Sequence, residues 1–457
     1  MNFAKESRLG YTVSDGIASQ IGTNASQIED WWAKFEALTQ TNSIWLTAAA
    51  NPISWPPKGN RITTLFDGNY ESSTAEITNF QAEGVISVID EKFDSNSIDS
   101  LAAKSQAIII DSRLVPLTNL VNYTTSTRIS AASLGLAETK TPLLIADTQL
   151  TSLFEPIAPE SNLSDEAAAL QVRQQLASDL TMIALERPST KVTVLAAPHT
   201  DWGASELVAR SAASALVDGP WVKLVTLQDA IGLTPDNSPR QNASAKNLGK
   251  KQQLRPRQVS LLKQGQSRLE KLNSITSTPS LELGELGAAL ARGLSKSWVS
   301  QPKLGRELTN IITNEIEKKY QGVAVITSPE ITLTGQLGAL PVTVTNELDV
   351  PVRVNLSAET PSGASLDLDA ARNITIEANQ VSSLDIPIEV QARINAPISL
   401  FLVNAEGQRI GAGAVVSIRT TAYSQVAQWI SIVSLVLLVI LAAVSISKKV
   451  TKARKAT

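Results

Sequence analysis

The chain contains no cysteine. That excludes disulfides, thiolate metal sites and cysteine nucleophiles, and it suits a bacterial surface better than an animal one. A single histidine, His199, rules out the usual two-histidine metal set of a deacetylase within this sequence. A Ser-His-Asp arrangement would have to use that same residue, yet no G-x-S-x-G elbow accompanies it. Beside Pro198, His199 reads as a loop residue. No glycine-rich phosphate loop is present. The net charge of −3 leaves no footprint for a nucleic acid, which is not expected as a partner. No charged residue occurs from Thr420 to Ser447.

That charge-free stretch is the most informative part of the chain. Trp429–Ser447 reads WISIVSLVLLVILAAVSIS and holds twelve Ile, Val and Leu residues. At 1.5 Å rise per residue it spans roughly 28 Å, close to the thickness of a bilayer's hydrocarbon layer. Insertion is favoured by about 5 kcal/mol on a per-residue scale. Tyr423 and Trp429 stand at its upstream edge, where amphipathic rings favour the interface. Lys448, Lys449, Lys452, Arg454 and Lys455 follow with no acid among them. The positive-inside rule places this tail in the cytoplasm and the N-terminal portion outside a cell membrane crossed once. The first residues, MNFAKESRLGYTVSDG, lack an apolar core of signal-peptide length. An exported body needs such a signal, so the sequence is expected to begin inside a longer protein. A misassigned start, or a tail-anchored protein facing the cytoplasm, are the alternatives.

From Leu9 to about Gly232, short apolar runs alternate with helical stretches. The runs are Ile44–Ala48, Val85–Asp90, Ala107–Asp111, Leu143–Asp147, Val192–Ala197 and Trp221–Leu227. Unbroken runs of this length read as strands buried on both faces of a parallel sheet. Helical spacing marks Ser26–Leu38, a run from Ser164 to Glu186, and Ser205–Leu216. Residues 1–233 are therefore expected to form an α/β domain, either doubly wound or, as preferred here, barrel-like and incomplete. Residues 234–258 read as a basic linker carrying Arg240, Lys246, Lys250, Lys251, Arg255 and Arg257 with no nearby compensating run of acids. It is expected to be a solvated loop; contact with an acidic envelope polymer or phospholipid is the functional alternative. Residues 259–321 form a helical segment broken at Thr278-Pro279 and Gln301-Pro302. Residues 322–421 alternate apolar and polar positions in short runs, the pattern of an Ig-like β-sandwich of the disulfide-free kind. It leads almost directly into the transmembrane helix, 426–447, and the basic tail, 448–457, so it should sit on the bilayer surface.

If the first domain is a barrel, chemistry belongs at the C-terminal ends of its strands. Asp90, Asp111 and Asp147 end three of them, and Asp201 follows the fifth run. Two carboxylates at suitable separation run glycoside hydrolysis. Aspartate at a strand end is also the common N-cap of the next helix, and that is the reading preferred here. Trp31, Trp32, Trp45 and Trp55 offer a sugar-stacking platform, although Trp31 and Trp32, adjacent on a helix, cannot face one way. No residue is assigned a catalytic, cofactor-binding or metal-binding role, and no cofactor is implied.

Several stretches carry a resemblance. LASDLTMIALERPSTKVTVLAAPHTDW, the S-x-x-W of Ser295–Trp298 after a Leu-rich helix, PVTVTNELDVPVRVNL and SIRTTAYSQVAQW are similar to an uncharacterised family of actinobacterial envelope proteins, the domain-of-unknown-function 6049 family, whose members are often called "glycoprotein" or "secreted protein". The resemblance covers Val85 to the C-terminus. It implies an order of signal peptide, N-terminal β domain, barrel-like α/β domain, helices, Ig-like domain, one membrane helix and basic tail, and genes that lie beside the lipid II flippase gene. It also implies a start upstream of Met1. Members usually carry another residue at the position of His199, and the family has no established activity, so no site residue is transferred.

The functional expectation is a single-pass envelope protein with a structural or scaffolding role in cell-wall assembly, contacting envelope proteins or wall glycan. A carbohydrate-active hydrolase using Asp90, Asp111 or Asp147 and a non-catalytic glycan-binding module are the alternatives. Protease added to intact cells is expected to digest the large N-terminal portion. A body that survives this treatment and is degraded only after lysis would reverse the topology.

Overall fold

The computed structural model describes residues 33, 37, 42–53, 59–91, 93, 95–119, 121–137, 139–154, 163–198, 205–241, 253–333, 337–360, 364–366, 371–390, 395–420 and 423–453. These fall into two compact units, Met1–Gln266 with Gly287–Ile312, and Ser267–Leu286 with Thr313–Thr457.

The first unit is built on β1 (Trp45–Thr47), α1 (Asn60–Phe80), β2 (Gly84–Ile89), α2 (Ser95–Ala102), β3 (Ala107–Asp111), β4 (Arg128–Ile129) and β5 (Leu143–Ala146). The strand order is β1-β2-β3-β5-β4. β1, β2, β3 and β5 are parallel, and β4 is antiparallel to β5. Each parallel strand lies beside the next in sequence. A doubly wound sheet reverses its order at a switch point; this one does not, so its winding is barrel-like. Both faces are covered, as the apolar runs require. On one face α1 places Ile62, Leu65, Phe66 and Tyr70 against the sheet at helical spacing, all buried. Tyr70 donates to or accepts from Ser87 at 2.8 Å, Ser87 meets Ser105 at 2.7 Å, and Ser105 donates to the Leu101 carbonyl at 2.6 Å. This chain satisfies three hydroxyls that would otherwise be costly to bury. Burial pushes the Tyr70 phenol up to about 12, against the smaller opposing effect of its bond to Ser87.

The opposite face gathers Ile86, Ala107, Ile109, Leu144 and Ala146, with Trp45, Val88, Leu195, Ala197, Leu227 and Ile231 packed on them. Then come α3 (Thr148–Ser152), α4 (Asp165–Glu186), α5 (Glu206–Asp218) and α6 (Leu227–Ile231). Ser164 and Ser205 cap α4 and α5, each accepting from the backbone N–H three residues on. The two helices bury Ala168, Val172, Leu176, Val208, Ala212 and Ala215 together.

Two expected strands do not form. Val192–Ala197 makes a single parallel bridge, Leu195 to Ala146, with hydrogen bonds from Thr127 and Asp147 to Thr193 and Leu195. In Trp221–Leu227 the chain stays irregular, leaving Trp221, Leu224 and Val225 exposed. The competing signal is local. Thr226 and Asp229 form a reciprocal capping box that starts α6, and Leu227 joins the helix. The Ser26–Leu38 helix falls, apart from 33 and 37, outside the described residues.

Three longer helices follow, α7 (Pro256–Asn273), α8 (Leu281–Ala291) and, after the short α9 (Ser297–Ser300), α10 (Pro302–Gly322). Pro256 and Pro302 each open a helix, where a missing N–H costs nothing. The unit boundaries fall within α7, α8 and α10.

The second unit carries β6 (Val323–Ile326), β7 (Glu330–Leu333), β8 (Leu337–Asn346), β9 (Val352–Glu359), β10 (Ala364–Leu366), β11 (Ile374–Ile376), β12 (Gln380–Val390), β13 (Asn395–Val403) and β14 (Arg409–Thr420). They run in the order β10-β12-β8-β6-β14-β13-β9-β11, with β7 on β14. β11 also contacts β8 and β12, so the path returns on itself as a nearly closed, barrel-like sheet. Asn346, almost fully buried, fastens this return: its amide donates to the carbonyls of Val350, Ile376 and Glu377 at 3.0, 3.1 and 2.9 Å, and its oxygen accepts from Leu348 at 3.0 Å. The register of β13 on β14 shifts between Leu400 and Leu402, where β14 carries the extra residues, and Gly411 lies within this bulge with φ +64. A Cβ at Gly411 would stand 1.6 Å from the Val323 carbonyl oxygen.

The last element is α11 (Tyr423–Ala453). Trp429–Ile446 has a mean hydropathy of 2.8, with no part of it buried. It is the one helix among the described residues long and apolar enough to cross a membrane.

Gly411→Ala is expected to destabilise the second unit by at least about 3 kcal/mol, because both the left-handed φ and the carbonyl contact oppose it. Chemical denaturation of the purified chain checks this; a loss under about 1 kcal/mol would show that the bulge can relax.

Candidate functional site

The C-terminal edge of the parallel sheet is where a barrel keeps its chemistry, and three of the sequence candidates meet there. Val88 lies beside Ile109 and Ile89 beside Ile110, so Asp90 and Asp111 are lateral neighbours at the ends of β2 and β3. Asp111 in turn lies beside Ala146, one residue before Asp147. The sequence alone could not supply this register. It supplies the pair of carboxylates that hydrolysis would need, and it also shows what each carboxylate is doing.

Asp90, its side chain 13% exposed, forms an ion pair with Lys296. Asp111, 9% exposed at the side chain, is held from several sides. Its Oδ1 accepts from the Arg113 backbone N–H at 2.8 Å and from the Thr148 hydroxyl at 2.6 Å, and its Oδ2 accepts from Arg113 Nη2 at 2.7 Å. Thr148 also shares a 2.7 Å hydrogen bond between hydroxyls with Ser112 and donates its backbone N–H to the Ser112 hydroxyl oxygen at 3.1 Å. Burial pushes the Asp111 carboxyl up, but the hydrogen bonds from Arg113 and Thr148 together outweigh it and hold the group below the usual carboxylate range. Asp147 caps α3, accepting from Leu150 N–H at 2.9 Å. A glycosidase acid needs a carboxyl pushed the other way, so that it carries a proton at working pH.

Lys296 and Arg113 were not singled out from the sequence. Arg113 follows Asp111 by two residues. Lys296 lies inside the S-x-x-W motif, 206 positions from Asp90, and the structure gives that motif a physical reason. Trp298 donates from its indole to the Arg292 carbonyl at 2.7 Å. A Cβ on Gly305 would stand 2.6 Å from Trp298 Cβ, so glycine is what admits the indole. The segment is tied to the stretch after β1 by Ile53 N–H to Leu294 at 3.0 Å and Lys296 N–H to Asn51 at 3.0 Å, and to α1 by Asn69 to Ala291 at 3.3 Å. The motif thereby delivers an ammonium to the end of β2.

Other candidates are placed as follows. Trp45 is half-buried in the apolar cluster on the sheet rather than on a surface. Trp31, Trp32, Trp55, His199 and Asp201 lie outside the described residues. Arg240, grouped by sequence with the solvated basic residues, is instead buried at 8% exposure. It donates to the Val115 carbonyl at 3.1 Å and to Thr125 at 2.7 Å. Burial lowers its pKa, with Asp236 opposing. Its neighbourhood is fixed by the Leu117–Arg240 bridge, so it is a structural cation rather than a contact for an acidic polymer. Lys246, Lys250 and Lys251 fall outside the described residues; Arg257 is exposed. Among the described residues, no three His, Asp or Glu side chains gather closely enough to hold a metal ion.

An α/β body with its edge carboxylates held by donors, a β body and one helix long and apolar enough to cross a membrane define a class of protein of undetermined activity. The chain belongs to the family of unknown function (DUF6049), which matches residues 37–454. No curated protein matches it. Among solved structures it is similar to the secreted serine protease VesC from Vibrio cholerae, at 5% identity and a TM-score of 0.19, covering 24% of this chain and 25% of the protease. It is also similar to a FixG-related protein from Vibrio parahaemolyticus, at 16% identity and 0.17, covering 21% of this chain and 94% of that one. A chitinase, ChiW from Paenibacillus sp., aligns over 83% of this chain and 32% of its own at 11% identity and 0.16. Likenesses at these scores carry no argument about function.

Two outcomes are expected. Lys296→Met, which leaves Asp90 largely buried without its counter-charge, should cost about 2–4 kcal/mol, and Asp90→Asn in the same chain should recover part of it; additive losses in a double-mutant cycle would show that the pair is not coupled. For Asp111 the folded pKa lies below the unfolded one. Its contribution is therefore full above about pH 5 and lost as pH falls through the folded value. Asp111→Asn should lower stability at pH 7 and flatten the acid limb of the stability curve, measured by urea midpoints from pH 7 to 3.

Proposed function

We propose that the protein is a single-pass, membrane-anchored scaffold of the cell envelope, with its N-terminal portion outside and its basic tail in the cytoplasm. The observation that carries this reading is the state of the sheet edge. Asp90 faces Lys296, Asp111 faces Arg113 and Thr148, and Asp147 caps a helix. Each carboxylate serves as a structural counter-charge or cap, which supports a body that presents surface over one that performs hydrolysis. The predominantly antiparallel pairing and the alternation of buried and exposed residues in β8 and β9 support an Ig-like sandwich as the membrane-near module. The apolar helix and the cationic residues after it support the orientation. Envelope proteins or wall glycan are the partners this reading names.

The discriminating experiment replaces two of the three edge carboxylates, the lateral neighbours Asp90 and Asp111. Full-length Asp90→Asn/Asp111→Asn chain, checked for folding, is expected to complement loss of the gene and to yield the same envelope proteins on cross-linking in intact cells as the native chain. Loss of complementation in a folded variant, together with release of sugar from isolated wall by the native chain only, would overturn the scaffold and establish the hydrolase.

A further inference from the structure

The strand register of the second unit assigns which of its ends meets the lipid, and the geometry points to an apolar rim centred on Leu337 that lies in the headgroup layer of the bilayer. This rests on the membrane reading above and adds to it a defined contact surface.

The argument starts at Thr420. β14 ends there and α11 begins at Tyr423. Three Cα steps separate them, at most about 11 Å. From Tyr423 to Trp429 a helix rises only about 9 Å. The end of β14 is therefore kept close to the interface by a tether too short to let it leave. β7 runs parallel to β14 and pairs Leu333 with Thr420. β6 is also parallel to β14, and β8 is antiparallel to β6. The start of β8, four residues after Leu333, thus belongs to the same rim, while Asn346 belongs to the far end.

The composition of the outward face changes along this direction. Inward positions of β8 include the buried Leu340, Val342, Val344 and Asn346. Outward ones read Leu337, Ala339 and Pro341 near the tether, then Thr343 and Thr345 away from it. Leu337 is 74% exposed. On β8 the outward positions grow more apolar toward the anchored end, which matches the gradient of a lipid interface. Glu389 stands directly opposite Leu337. Its carboxylate keeps the rim at headgroup depth and out of the hydrocarbon. The position is also fixed from within: buried Leu333 lies where a Cβ on Gly338 would come to 2.5 Å, so the residue next to Leu337 cannot slide freely.

The absence of cysteine makes the test direct. Single cysteines at Leu337, Ala339, Val381 and Val436 are spin-labelled in the full chain and reconstituted into phosphatidylglycerol–phosphatidylethanolamine vesicles. Val381 is as solvent-exposed, at 63%, but pairs with Thr345 at the far end. Labels at 337 and 339 are expected to relax more with oxygen than with a water-soluble nickel chelate, the label at 381 the reverse, and the label at 436 to sense oxygen alone. If 337 and 339 behave like 381 while 436 is in lipid, the rim contact is wrong and the anchor stands. If 436 is accessible to the chelate, the membrane reading itself fails.

Discussion

The ion pair of Asp90 with Lys296 ties the end of β2 to a segment two hundred residues downstream. A carboxylate brought to the edge of a buried sheet must either bind a proton or face fixed donors. This edge takes the second course throughout, with Lys296, Arg113, Thr148 and the N–H of Leu150 as the donors. The outcome is conformational. Each neutralised acid pins a loop, and the S-x-x-W segment is ordered around the need to bring one ammonium to one position. Arg240 follows the same rule in reverse: a cation withdrawn from water, met by a carbonyl and a hydroxyl.

The second unit answers a different constraint, the unpaired backbone of a sheet that nearly closes. Asn346 supplies donors where the path returns, bonding the carbonyls of Val350, Ile376 and Glu377. Gly411 supplies the space where a bulge brings two backbones into contact. One residue is chosen for its amide and the other for having no side chain, and neither choice follows from the alternation that marks the strands themselves.

This contrast explains what the sequence disclosed. Local signals are legible. The apolar run at 107–111 is β3, and the Ser164 cap starts a helix that ends at Glu186. The apolar C-terminal helix stands out by length and composition alone. Pro256 and Pro302 open helices, the latter at a break marked in the sequence. Long-range pairings were not legible. Lys296 carries no mark of its partner, Arg240 looks like any residue of a basic segment, and the adjacency of Asp90 and Asp111 exists only once strands take their register. Where a strand expectation failed, at Trp221–Leu227, a capping box overrode an apolar run. Candidate site residues were thus recognisable by type, while their roles depended on partners far away in the chain.

The continuity of β14 with the membrane helix has a mechanical meaning. β14 is flanked by β13 along most of its length and by β7 near its end. Its ladder bonds lie across the direction in which the anchor would pull. A pull applied through α11 would therefore be resolved as shear, loading the bonds of a ladder together rather than peeling them one by one. A strand held in this way is suited to bear load applied along the chain axis.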